Sequence, residues 1–178
     1  MSSQKILYIL RHAKAEAGSP HQDDHDRHIT QVGVDAAQAM GQHFARQGVR
    51  PDFVLCSTAV RAKETWETVQ LAYGREVPME LSDRLYLASV NETMQLVGNT
   101  NENVQRLLIV GHNPGLHQFS LKLAKSGTSS LMDTISIKFP TCSFAAIALG
   151  DAPWKEIAHM HGELKAFVTP SMLGDLEE

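Results

Sequence analysis

Two arginines and two histidines in this 178-residue chain have the chemistry to handle a phosphoryl group. Arg11 and His12 follow the apolar run Ile6-Leu7-Tyr8-Ile9-Leu10. Arg61 lies just beyond a second run, Asp52-Phe53-Val54-Leu55-Cys56, and His112 just beyond a third, Leu107-Leu108-Ile109-Val110. Arginine forks match phosphate oxygens, and fixed positive charge is most of what phosphoryl transfer asks of a protein. A neutral imidazole, with an unperturbed pKa near ~6.5, can attack phosphorus at pH 7. It needs one ring nitrogen free and the other tied, for instance to a backbone carbonyl. We therefore expect His12 to be the nucleophile and Arg11 and Arg61 to hold the phosphoryl oxygens. His112 is expected to be protonated when phosphate is bound, adding a third positive contact.

These residues meet only if the surrounding elements bring them together. Each apolar run is too short for an ordinary helix and reads as a buried parallel strand. Ligands of open α/β sheets bind beyond the carboxyl ends of such strands. A helix is expected after each. The first is capped by Thr30, carries Val34, Ala37, Met40, Gly41 and Phe44 on one face, and stops at Gly48. The second can be capped by Ser57 or Thr58, buries Ala62, Trp66, Val69 and Tyr73, and ends at Gly74. Arg61 falls in its first turn, where a cation typically costs about 0.3–1 kcal/mol. A bound anion would reverse that penalty; otherwise the side chain bends out to solvent. The third helix has Asn113 as N-cap and Pro114 at its first position, so His112 sits above an N-terminus that favours an anion.

The remaining elements read less sharply. Glu76–Leu81 is a short strand, 82–87 a turn, and Asn91–Asn99 weakly helical. Gly127–Asp133 reads as a loop. Thr134–Phe139, Cys142–Leu149 and Trp154–Met160 read as later strands, at least one antiparallel at a sheet edge. The acidic stretch Thr169–Glu178 is expected to fray. Residues 21–28 hold three histidines and three aspartates, yet their spacing fits no metal template. They read as a solvated loop bordering the site, and no metal is expected.

Composition narrows the function classes. The chain is 20% charged and 43% hydrophobic with a net charge of −4, ordinary for one globular domain spanning residues 1–178. Without a basic stripe, nucleic acid is not an expected partner. No run is long enough to cross a bilayer and no secretory pattern is visible, so neither a membrane partner nor export is expected. Cys56 and Cys142 read as buried free thiols of a reducing, cytoplasmic setting.

The motifs together resemble the histidine phosphatase superfamily, which includes the phosphoglycerate mutases. They are Arg11-His12, the stretch Ser57-Thr58-Ala59-Val60-Arg61-Ala62-Lys63-Glu64-Thr65, and Gly111-His112-Asn113-Pro114. Asp26-Arg27-His28-Ile29-Thr30, Asp83-Arg84-Leu85-Tyr86 and Lys138-Phe139-Pro140-Thr141 are similar to the phosphohistidine phosphatases of the SixA type. The resemblance implies a three-layer α/β/α domain with a mostly parallel central sheet and no cofactor. It implies that His12 becomes phosphorylated, that Arg11, Arg61 and His112 bind the equatorial oxygens, and that Arg27 and Asn113 contact phosphate or substrate. The implied substrate is a phosphohistidine-containing protein and the product inorganic phosphate.

Three departures stand out. Ala13 replaces the family's glycine, and His28 replaces a proline common in the SixA type. Mutases and many monoesterases carry a catalytic glutamate where this chain has Arg84-Leu85-Tyr86-Leu87. A general acid is typically worth about 10²–10⁴-fold in expelling an alkoxide. An imidazole, whose conjugate acid has a pKa near ~6.5, needs it less. The absence therefore favours a P–N over a P–O bond. Two other readings stay open at this level. One is a small-molecule phosphomonoesterase using Asp83, Asp24 or Asp26 as proton donor; the other is a non-catalytic phosphate-binding module.

Overall fold

The structure is a computed structural model and describes residues 4–177. Seven strands form one sheet: β1 (Lys5–Arg11), β2 (Phe53–Ser57), β3 (Met79–Ser82), β4 (Arg106–Gly111), β5 (Ala124–Gly127), β6 (Phe144–Gly150) and β7 (Gly162–Val168). Their order is β3-β2-β4-β1-β6-β7-β5. Neighbours are parallel except for the two pairs made by β6, which runs against both β1 and β7. The helices are α1 (Gln31–Gln47), α2 (Val60–Tyr73), α3 (Val90–Gly98), α4 (Gly115–Leu123) and α5 (Ser129–Ile137).

Side-chain alternation along the central strands builds two cores. Tyr8 and Leu10 of β1 face one side, where Met40 and Phe44 of α1 and Trp66 and Val69 of α2 cover them. Leu7 and Ile9 face the other, under Val97 of α3, Leu116 and Phe119 of α4 and Ile135 of α5. Burial of both faces explains why the strands read as continuous apolar runs. The three-layer α/β/α arrangement and mostly parallel sheet agree with the sequence reading.

The caps agree in part. Thr30 caps α1 through its hydroxyl, which accepts from Gly33 N at 3.2 Å, and Gly48 closes it at φ 67°. Helix α2 starts from Ala59 with no side-chain cap of its own. Helix α4 starts from Pro114, so Asn113 is not its cap. Asn113 instead donates from Nδ2 to Phe139 O at 2.9 Å.

The later chain departs further. Thr134–Phe139 is no strand; Ser129–Ile137 is helical, capped by Thr128 and anchored by Ile135. Trp154–His159 forms 3-10 turns, with Trp154 and Ile157 buried at the three-residue repeat of that helix. The strands at that end are β5 and β7, which the sequence reading passed over. The antiparallel strand β6 lies inside the sheet, not at its edge. Residues 170–172 make a further 3-10 turn with Pro170 buried and Leu173 packed on the core, so the start of the stretch after Thr169 is anchored.

Gly115 marks a close approach between the site's elements. A Cβ there would lie 2.0 Å from Ala88 O. Gly115→Ala should therefore push the His112 turn away from the 83–88 segment. We expect a loss of about 1–3 kcal/mol, the usual range for overpacking, read from the urea unfolding midpoint.

Candidate active site

The strand ends bring the predicted residues together. Arg11, His12, Arg27, Arg61, His112 and Asn113 all line one pocket of about 310 Å³, closed on another side by Leu87. Arg11 ends β1, Arg61 sits in the first turn of α2, and His112 follows β4. Arg61 is 2% exposed, so it does not bend out to solvent.

His12 is held from several directions. Its backbone N–H donates to Gly111 O at the end of β4, and its carbonyl accepts from Cys142 N, both at 3.0 Å. Its Nδ1 lies 2.8 Å from Ala13 O. A carbonyl only accepts, so Nδ1 carries the ring proton and Nε2 keeps its lone pair. The tie to a backbone carbonyl is the one the sequence chemistry called for. Ala13 N donates to Thr65 Oγ1 at 2.8 Å, and Thr65 donates onward to Arg61 O at 2.6 Å. One hydroxyl thus couples the histidine turn to the helix that carries Arg61.

The cations are positioned by acceptors that the sequence did not reveal. Asp24 Oδ2 accepts from Arg61 Nη2 at 3.0 Å and from the Tyr86 hydroxyl at 2.6 Å. Asp24 Oδ1 accepts from Arg27 Nε at 3.0 Å, and Arg27 Nη1 reaches Glu16 O at 2.6 Å. Arg11 Nη1 donates to Phe139 O at 2.9 Å. Phe139 is available because β6 runs backwards, so its lead-in segment starts at the site's end of the sheet. His112 Nε2 lies 2.7 Å from Ser57 Oγ, which already accepts from Ala59 N. Ser57 can give its hydrogen to Nε2, and in that arrangement the neutral ring carries its proton on Nδ1. Arg11 Nε, Arg61 Nε and His112 Nδ1 are buried donors without a protein partner. Three such donors around one pocket suit an oxyanion.

Burial sets the protonation states. It lowers the His12 pKa to about 4, with Arg11 and Arg61 adding to the effect. Burial likewise lowers His112 to about 3, helped by His12 and Arg61. The ring centroids are 5.1 Å apart. Both imidazoles are therefore neutral at pH 7 in the anion-free protein, and His12 is ready as a nucleophile without deprotonation. The expected His112 cation concerns the phosphate-bound protein; in the anion-free protein the ring is neutral. The Tyr86 hydroxyl and the two arginines hold the Asp24 carboxyl at about 2, so Asp24 is a carboxylate.

A pH dependence follows. The unfolded chain takes up protons on these histidines near pH ~6.5, where the native protein does not. Stability is therefore fully present above that pH and is lost as pH falls towards about 4. Ring NMR signals should report neutral His12 and His112 at pH 6. The unfolding temperature should drop between about pH 6.5 and 4, less so with inorganic phosphate present.

The histidine-rich loop disperses its side chains. His25 Nε2 meets Thr58 Oγ1 at 2.9 Å, and His28 Nδ1 meets Glu64 Oε1 at 2.6 Å. Among the described residues, no group of three His, Cys, Asp or Glu side chains could hold a metal ion. No helix among them is long and apolar enough to cross a membrane. Cys56 and Cys142 are buried and unpaired.

Comparison with known proteins agrees with this geometry. The model of the histidine phosphatase superfamily (branch 1) matches residues 7–86, which carry Arg11, His12, Arg27 and Arg61. An uncharacterised protein of Mycobacterium leprae is 34% identical over 165 residues, covering 90% of this chain and 99% of that one. This chain belongs to the histidine phosphatase superfamily. Within it, the phosphohistidine phosphatase SixA of Escherichia coli is 28% identical over 135 residues, 74% of this chain and 81% of that one. A solved structure from Nakamurella multipartitia, provisionally named a SixA phosphohistidine phosphatase, superposes with a TM-score of 0.81 at 28% identity, covering 94% and 96% of the two chains. Superfamily membership and these neighbours support phosphatase activity.

Against the superfamily pattern, the wall after β3 is distinctive. Leu87 lines the pocket there, with φ 49°, within the stretch Arg84-Leu85-Tyr86-Leu87 that holds no carboxylate. Neither Asp83 nor Asp26 lines the pocket. Tyr86, Thr65 and the Phe139 carbonyl are supporting groups that sequence reasoning missed, while Asp24 was read only as a candidate proton donor and Ser57 only as a candidate cap. Only Thr65, one helical turn after Arg61, left a readable trace.

Proposed function

We propose that the protein is a phosphohistidine phosphatase working through a phosphorylated His12. Nε2 of His12 attacks phosphorus, the new N–P bond forms, and the bond from phosphorus to the substrate imidazole breaks. The leaving ring, already protonated on its other nitrogen, keeps the electron pair and departs as neutral imidazole, so it calls on no proton donor. Arg11, Arg61 and the Nδ1–H of His112 hold the equatorial oxygens, and Arg27 stands at the rim. Asn113 shapes the pocket; with Nδ2 committed to Phe139, its Oδ1 offers only an acceptor. Water then attacks the phosphoenzyme, phosphate leaves, and His12 recovers its lone pair. We place the reaction in the cytoplasm, in keeping with the two free thiols.

The observation that carries this reading is Leu87 in the wall, together with Asp24 held as a carboxylate. No placed carboxylic acid is ready to protonate an alkoxide. The second half-reaction breaks a P–N bond to His12 itself. A site able to do that needs nothing more to break the same bond in a substrate. The monoesterase reading would need Asp24 protonated, against its two arginines and Tyr86.

The test compares turnover on a phosphohistidine peptide, sugar phosphates and p-nitrophenyl phosphate. The peptide should lead by kcat/KM, and p-nitrophenyl phosphate, with its good leaving group, should exceed the sugar phosphates. A preference for sugar phosphates overturns the reading, and phosphate binding without any turnover favours the docking module. Leu87→Glu should raise sugar phosphate hydrolysis about 10-fold, less than the full general-acid effect because the carboxyl is not pre-positioned.

A further inference from the structure

A groove of about 560 Å³ opens beside the pocket and shares Arg11, Lys14, Asn113 and Thr141 with it. Its outer part is formed by His117, Lys138, Phe139 and Pro140. No Asp or Glu lines it, although the chain as a whole carries a net charge of −4. It is larger than the pocket that would hold the phosphoryl group, so it has room for what that group is attached to.

The protein's own chain shows what the mouth of this groove accepts. Glu177 extends from the segment after the last 3-10 turn and sets its Oε2 3.0 Å from Lys14 Nζ. Both side chains are well exposed, and an exposed pair of this kind is weak and screened by salt. An incoming carboxylate can replace it. Lys138 and the Phe139-Pro140 segment line the same groove as Lys14.

We propose that this groove receives an acidic segment next to the phosphohistidine of a protein substrate, recognised through Lys14 and Lys138. The proposal rests on the phosphohistidine reading. The segment lies extended along the wall, its carboxylates displacing Glu177 from Lys14 and taking the place of the present partner of Lys138. Local positive charge also steers an acidic partner to a protein of net negative charge.

The experiment uses two phosphohistidine peptides, one flanked by glutamates and one by glutamines at the same positions. Each is assayed on the wild-type protein and on Lys138→Glu, at low and high salt. The readout is the ratio of the two kcat/KM values within each protein, so any general loss of activity in the variant cancels. We expect the acidic peptide to be favoured about 5-fold by the wild type at low salt, a size in keeping with partly exposed ion pairs. The ratio should approach one at high salt and invert in Lys138→Glu. Equal turnover of both peptides, or a preference that survives Lys138→Glu, overturns the groove and leaves the phosphohistidine reading intact. If neither peptide is dephosphorylated while p-nitrophenyl phosphate is, the phosphohistidine reading falls. The groove is then judged by competition: Lys138-dependent inhibition of p-nitrophenyl phosphate hydrolysis by the unphosphorylated acidic peptide keeps it, and no inhibition removes it.

Discussion

His12→Ala should abolish the phosphoenzyme and lower kcat by about 10⁴-fold or more, the scale seen when a nucleophile is removed from a group that acts as a unit. The reason is geometric. Only the Nε2 lone pair of His12 combines three features: a buried ring, a tautomer fixed by Ala13 O, and neutrality down to about pH 4. His112 is a poor substitute, because its Nε2 is engaged with Ser57 and its Nδ1 carries the proton. The measurement is a millisecond quench into alkaline denaturant, since a P–N bond is lost in acid, followed by mass mapping. The wild type should carry the phosphoryl group on residue 12 and the variant on none. Label on another residue, or wild-type turnover by His12→Ala, would refute the assignment. The truncation leaves a small void, so an unchanged unfolding transition is the needed control.

Arg61→Ala should weaken phosphate binding and turnover together, with kcat down about 10²–10³-fold, the usual loss for one preorganised donor. Arg61 is the most enclosed charge in the site. Its Nη atoms are committed to Asp24, while Nε has no protein partner. At the start of α2 with little access to water, its charge is balanced by the Asp24 carboxylate, and Nε is left for an incoming phosphoryl oxygen. Arg61→Lys should recover only part of the loss, because an ammonium cannot serve Asp24 and a phosphoryl oxygen at once. Isothermal titration with inorganic phosphate measures the binding half, and single-turnover rates the chemical half. A variant that binds phosphate normally but turns over slowly would restrict Arg61 to the transition state. One that does neither worse than wild type would remove it from the site.

How much of this was legible in the chain differs between its two halves. Through His112 the sequence was readable, because each central strand is buried on both faces and is followed by a helix, the first two closed by Gly48 and Gly74. Strand ends of a parallel sheet share one edge, so listing the residues after each run was enough to assemble the cations. The supporting groups were less visible. Asp24 lies 37 residues from Arg61 and 62 from Tyr86, and nothing local marks it apart from Asp23 or Asp26. In the second half, Ser129–Ile137 carries two isoleucines and a threonine that favour strands in isolation, yet it is a helix that buries Ile135. Strand β7 was masked by Glu163 and Lys165, which point away from the core. The reversed strand β6 was anticipated, but its interior place could not be, because strand order depends on pairing across the whole sheet.

The pocket's walls also differ in how freely they could change over generations. The turns bearing His12 and Arg61 are joined through Thr65 and Ala13, so drift in one would disturb the other. The segment with Leu87 belongs to a separate turn that reaches the clamp through Tyr86, whose hydroxyl meets Asp24 and whose ring lies beside Arg61 and His112. Descendants of such a chain could acquire new leaving groups by altering that one panel, with the attacking ring and its guanidinium partner inherited untouched.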